Sequence, residues 1–208
     1  MRALGILGSL LFAGLSIGFV SGRSSAAEAA PLVEDSYKTE TLDGRRATRG
    51  PWRIADGVAQ CTQDDELFKK FKDHGPVVWY DAKFTDAAIH FEFKPEKAKT
   101  FVFTVNGAEG HVFRFVSSAA GTTILAFPPN PEHKSQALER GGPKLREGEW
   151  TKVSVELRGP KAVVSIGDDY KAEVEHASLA RPKIVVGLGF SFGALSLRDF
   201  RIVPVAAK

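Results

Sequence analysis

Glu92 is the carboxylate on which chemistry is most readily built. In the run AIHFEF, Ile89, Phe91 and Phe93 alternate with Ala88, His90 and Glu92. A strand here puts an imidazole and a carboxylate on one face and three apolar side chains on the other. Glycoside hydrolysis needs two carboxyl groups about 5 to 10 Å apart, one holding a proton for the leaving oxygen. Glu92 supplies one of them. His90 beside it, and Arg114 and His111 from a later strand, are the groups expected to contact a sugar. No Glu-x-Asp-x-x-Glu run, which would aim three acids at one cleft, occurs in the chain. The competing reading is that this face is simply solvated, as one side of an antiparallel sheet often is.

Other reactive side chains have plainer readings. Asp168 and Asp169 could offer oxygen to a hard cation, but adjacent acids after a strand are ordinary turn residues, so no metal and no cofactor is expected. Cys61 is the single cysteine; no intramolecular disulfide can form, and the thiol reads as a small buried hydrophobe. Trp52, Trp79 and Trp150 are read as anchors at the core edge, with stacking on a pyranose ring as the alternative. The polar stretch from Pro128 to Glu149 carries His133, Lys134, Arg140, Lys144 and Arg146. It is read as a long loop, either functional or mobile.

The elements that must position these groups are short alternating runs with turn signals between them. WRIADGVAQC contains Asp-Gly between two β-runs, the strongest short-range hairpin signal. DDELFKKFKDHG spaces Leu67, Phe68 and Phe71 as a short helix does. VVWY, AIHFEF, KTFVFTV, HVFRFVS, TTILAF, TKVSVELR, AVVSI and two closing runs read as strands. About ten or eleven strands with no substantial helix predict an all-β, two-sheet antiparallel jelly-roll sandwich of the concanavalin A-like kind over residues 51–205. Residues 30–50 are polar and read as a linker with one edge strand near Tyr37 to Thr41.

Ahead of them, Arg2 and the apolar run from Leu4 to Val20 lead to Ala27-Glu28-Ala29. That pattern predicts a signal peptide over residues 1–29 and a location in the periplasm, cell envelope or outside the cell. An uncleaved anchor is the alternative, and no other stretch is long and apolar enough to be a transmembrane segment. The formal net charge is +3, and the basic residues are scattered except for Arg45-Arg46 and Lys69-Lys70. This is a solvated surface and not a phosphate-binding stripe, so no nucleic acid partner is expected.

Four stretches resemble the 3-keto-disaccharide hydrolase family: WRIADGVAQC, VVWYDAKFTDAAIHFEFKP, GEWTKVSVELRGPKAVVSIGD and GLGFSFGALSLRDFRIVPV. The resemblance covers Pro51 to Val205. It implies a concanavalin-like sandwich and a carbohydrate partner, with hydrolysis of modified disaccharides as the activity. Where that family carries polar side chains late in the chain, this one has Phe190 and Phe192. Three readings follow: a glycoside hydrolase-type enzyme, a non-catalytic carbohydrate-binding or laminin-G-like module, and a structural or adhesive envelope protein.

Overall fold

The computed structural model describes residues 29–129 and 134–205. The expected signal segment, up to residue 28, and His133 lie outside the described residues. No described helix is long and apolar enough to cross a membrane.

Among the described residues, fifteen strands form two antiparallel sheets. Sheet 1 runs in the order β13 (Tyr170–Glu175), β12 (Lys161–Ile166), β11 (Thr151–Arg158), β6 (Ala87–Glu96), β15 (Ala194–Pro204), β4 (Val58–Thr62), β3 (Arg53–Ala55), with β1 (Val33–Asp35) also paired to β15. Sheet 2 runs β10 (Gln136–Gly142), β9 (Gly121–Ala126), β8 (Gly110–Ser118), β7 (Thr100–Gly107), β14 (Lys183–Ser191), β5 (Val77–Phe84), β2 (Arg45–Thr48). The expected two-sheet sandwich is what forms.

Alternation in β6 drives the packing. Ile89, Phe91 and Phe93 are buried, while His90 and Glu92 between them are half-buried on the other face. The inward rings meet those of sheet 2: Phe93 stacks on Phe101 at 4.1 Å and Phe91 on Phe103 at 5.6 Å between centroids. Phe103 then stacks on Phe115 at 5.2 Å. Burying each such ring contributes about 1.5–3 kcal/mol, so this ladder of rings holds the sheets together without disulfides. The Asp-Gly hairpin forms as expected between β3 and β4, with Asp56 and Gly57 both at positive φ (55° and 83°), the pairing a type I′ turn requires. The short helix α1 (Asp65–Lys70) is capped by Asp64, whose carboxylate accepts the Leu67 N–H at 2.8 Å.

Two segments differ from expectation. The polar stretch after Pro128 contains β10, which pairs with β9 across two register shifts. A charged, bulged strand is tolerated at a sheet edge, where it also discourages edge-to-edge association. The segment 30–50 is not a linker with one edge strand near Tyr37 to Thr41. It contributes β1 to sheet 1 and β2 to sheet 2, and Tyr37 between them is fully buried. Asp35, also buried, accepts the Tyr37 N–H at 2.8 Å, Arg45 Nη1 at 2.8 and 3.0 Å, and the Tyr80 hydroxyl at 2.9 Å. Arg45 Nη2 donates to the carbonyls of Thr39 and Glu40. A buried ion pair is stable only when its remaining valences are met, and here the surrounding hydroxyls and carbonyls meet them. Burial raises both the Tyr37 and the Tyr80 hydroxyl pKa well above the ordinary tyrosine range, so both phenols stay protonated donors.

Candidate binding groove on sheet 2

The residues singled out in the sequence fall on two different faces. His90 and Glu92 project from the outer face of sheet 1, because the neighbours alternating with them point into the core. Glu92 Oε2 accepts two bonds from Arg198, from Nε at 2.9 Å and from Nη2 at 2.5 Å. The Arg198 guanidinium in turn lies 4.2 Å from the Trp150 ring centroid. Glu92 is thus held in an ion pair through one of its two oxygens. Trp150 belongs to this outer cluster and is no core anchor, whereas Trp52 does pack against the core, edge-on to Phe190 at 6.1 Å.

Arg114 on β8 lies on the outer face of sheet 2, since Phe113 and Phe115 point inward. A register shift that leaves Val112 unpaired, with Asn106 opposite His111, turns His111 to that same face. The phenylalanine core separates them from His90 and Glu92. The expected convergence of His90, Glu92 and Arg114 on one cleft does not occur. Alternation had assigned each residue to a face of its strand, but not each strand to its sheet.

What sheet 2 does assemble is a groove of about 580 Å³ on its outer face. Register builds it row by row. Trp79 on β5 pairs with Gly187 on β14, Gly187 with Thr104 on β7, and Thr104 with Arg114 on β8. Side chains in such a row share one face of the sheet. Gly187 is what lets the indole lie against the sheet: a Cβ there would fall 2.4 Å from Trp79 Cζ3 and 2.6 Å from Cε3. Gly189, one row on, is bare as well. The strand offers no side chain between Trp79 and Thr104, and the groove floor is open backbone. Phe190 does not fill the groove, since its ring is in the core, and Phe192 sits at the turn into β15, where its ring meets Phe68 at 5.3 Å.

A polar relay closes one end. Arg114 Nη2 donates to His111 Nε2 at 2.8 Å. A guanidinium has no acceptor, so Nε2 carries the lone pair and the ring proton sits on Nδ1. Nδ1–H then donates to Asn106 Oδ1 at 2.7 Å, and the Thr104 hydroxyl donates to the same oxygen at 3.2 Å. Desolvation, reinforced by the Arg114 charge, pushes the His111 pKa down to about 4. His111 is a neutral, oriented ring at physiological pH, and its one basic nitrogen is already engaged. Phe127 backs both groups, 5.0 Å from the His111 ring and 5.2 Å from the Arg114 guanidinium.

Chemically this is an aromatic platform beside fixed hydrogen-bonding groups. Asp73 is the only carboxylate among its described lining residues, whereas hydrolysis by the usual route requires two. Sequence reasoning missed Trp79, Thr104, Asn106 and Gly187 as site residues. The signal for Trp79 was present: Val78, Tyr80, Ala82 and Phe84 are the buried set of β5, which leaves Trp79 on the opposite face.

The outer face of sheet 1 has a groove of its own, of about 490 Å³, which brings His90 and Glu92 together with Asp168, Asp199 and Glu34. The other candidates are structural. Asp168 and Asp169 lie in the turn between β12 and β13, with Asp169 almost fully exposed and 4.0 Å from Arg146. The described residues contain no group of three or more His, Cys, Asp or Glu side chains arranged to hold a metal ion. Cys61 is buried, and burial pushes its thiol up to about 12, too high for a nucleophilic thiolate.

No family model and no curated protein sequence matches the chain. Solved structures do. The carbohydrate binding module CBM66 from Bacillus subtilis aligns over 77% of this chain and 95% of its own, with a TM-score of 0.57 and 8% identity. The CBM2 module of the Lactobacillus casei BL23 phage J-1 evolved Dit aligns over 87% and 99%, with a TM-score of 0.63 and 11% identity. A conserved carbohydrate esterase from the Shiga toxin-encoding bacteriophage phi24B aligns over 86% and 100%, at 0.55 and 10%. At these identities the likeness establishes the sandwich fold and nothing finer.

Proposed function

We propose that the chain is a glycan-recognising β-sandwich whose saccharide site is the groove on the outer face of sheet 2. The observation that carries this reading is the Trp79 indole laid over Gly187, one row position from the Thr104–Asn106–His111–Arg114 relay. A pyranose presents an apolar C–H face and a rim of hydroxyls. The indole suits the first, and the relay, with fixed donor and acceptor directions, suits the second. Two of the structural neighbours are named as carbohydrate-binding modules, which supports the same reading. The residues at the N-terminus read as an export signal, so the protein is proposed to meet its glycan in the periplasm, the cell envelope or outside the cell.

Recognition is favoured over hydrolysis by the lining of the groove. Asp73 is a single carboxylate, and the basic nitrogen of His111 is already bonded to Arg114, so the pair of carboxyl groups that hydrolysis by the usual route requires is not assembled in this groove. The resemblance to 3-keto-disaccharide hydrolases is read as shared architecture with the cutting groups absent from this face. Isothermal titration of the purified protein against a panel of oligosaccharides tests the proposal. Binding is expected for at least one member, abolished by Trp79→Ala and retained by Trp150→Ala. Equal loss in both variants, or none in either, would reject the groove as the site.

A further inference from the structure

We infer that the groove takes an acidic saccharide, with the carboxylate of a uronic acid residue set against Arg114. The inference rests on the saccharide reading of this groove. Its starting point is the state of the Arg114 guanidinium. Arg114 is half-buried and forms no ion pair with any described residue; its hydrogen bonds go to the neutral imidazole of His111, and its flat face meets the Phe127 ring. Its Nε is shut off from solvent without an acceptor. Desolvation lowers its pKa, with no carboxylate acting in the other direction. A guanidinium so placed has one N–H cut off from water and no carboxylate beside it, and the side from which a counter-ion can reach it is the groove it lines.

The surroundings reinforce the demand. Arg181 reaches the same end of the sheet, where Nη2 donates to the carbonyl oxygens of His111 and Phe127. This adds a second positive charge beside the first. The one carboxylate of the lining, Asp73, lies in the chain before Val77, beyond the row formed by Val77, Gly189 and Val102. Arg114 sits in the row on the other side of it, level with Trp79. An aromatic platform with an unanswered guanidinium in the same row fits a sugar ring bearing a planar anion at its edge, because guanidinium and carboxylate match in shape as well as charge. A sulfate ester would supply the same charge in a tetrahedral form, and the two sources are separable by experiment.

The test uses matched pairs of oligosaccharides: glucuronate against glucose, galacturonate against galactose and mannuronate against mannose, together with methyl-esterified uronates and sulfated neutral sugars. Affinities are measured by isothermal titration at low and at physiological salt. In at least one pair the uronate is expected to bind about ten-fold tighter or more, the effect of one charge-assisted hydrogen bond to a part-desolvated cation. The advantage should disappear on methyl esterification, shrink with added salt and fall to parity in Arg114→Gln, while Arg114→Lys keeps part of it. Parity within every pair in the wild-type protein overturns the inference and leaves the saccharide reading intact. Binding of sulfated sugars but not of uronates overturns the carboxylate assignment. Failure of every saccharide to bind removes the underlying reading and this inference with it.

Discussion

Replacing Gly187 by Ala isolates the role of the Trp79 platform better than removing the tryptophan does. The new methyl carbon would stand 2.4 Å from Trp79 Cζ3, 2.6 Å from Cε3 and 3.0 Å from Thr104 Cγ2. Carbon atoms rest about 3.5–4.0 Å apart, so the indole must lift by roughly 1–1.5 Å. Gly187 is not among the glycines held at positive φ, so alanine suits the backbone and the fold should survive. The loss falls on the ligand. A sugar face stacked on the ring removes roughly 40 Å² of apolar surface from each partner, worth about 2 kcal/mol at about 25 cal/mol/Å². Losing it raises Kd roughly thirty-fold. Three measurements decide the matter: the melting temperature, the oligosaccharide Kd, and the tryptophan emission before and after ligand. A near-native melting temperature, an emission shift in the free protein and a weakened Kd are expected. Wild-type affinity in a folded variant whose emission shows the indole displaced would refute the platform.

Three other outcomes are expected. Asp35→Ala strands the Arg45 charge, whose side chain is only 2% exposed; this should cost about 3–5 kcal/mol and lower the melting temperature by roughly 10 °C at about 2–4 °C per kcal/mol, with Asp35→Leu/Arg45→Met recovering part of the loss. Glu92→Gln breaks the ion pair with Arg198 on sheet 1, and should leave saccharide affinity unchanged in titration, because the binding groove is on the other sheet. The His111 pKa of about 4 lies below its ordinary value of 6.5, so its stabilising contribution is complete above pH 6.5 and is lost as pH falls toward 4; an NMR titration of the imidazole and denaturant midpoints at pH 7, 5 and 4 check the sign.

Much of the fold was legible, because alternation is a local property. The buried set of β6, the Asp-Gly hairpin and the phenylalanine-rich core followed from period and composition alone. The site was less so. Alternation states which face of a strand His90 or Arg114 occupies, but pairing decides which sheet that strand joins, and pairing is non-local. Hence the trio that looked convergent is divided by the core. Trp79 was misplaced because two valines precede it, and their run hides the parity that only Tyr80, Ala82 and Phe84 reveal. Gly187 and Gly189 carry no side chain that could announce a site; their function lies in what they leave uncovered. Asp35 and Arg45 are indistinguishable by type from solvated surface residues, so the strands flanking them read as a linker.

The position of β15 has a kinetic consequence. This strand lies inside sheet 1, hydrogen-bonded to β6, β4 and β1, so strands from the beginning of the chain find their partner near its end. Sheet 1 has no uninterrupted hydrogen-bonded path until residues 194–204 are in place. Closing such long loops before any contact rewards them makes folding slow, on the order of milliseconds to seconds. Chains stopped at residue 193 would leave β4 and β6 as facing, unfilled edges, with Tyr80 deprived of the Phe200 ring on which it stacks at 3.7 Å. Among the described strands β15 is the one that joins the two parts of sheet 1, and it acts as their bolt.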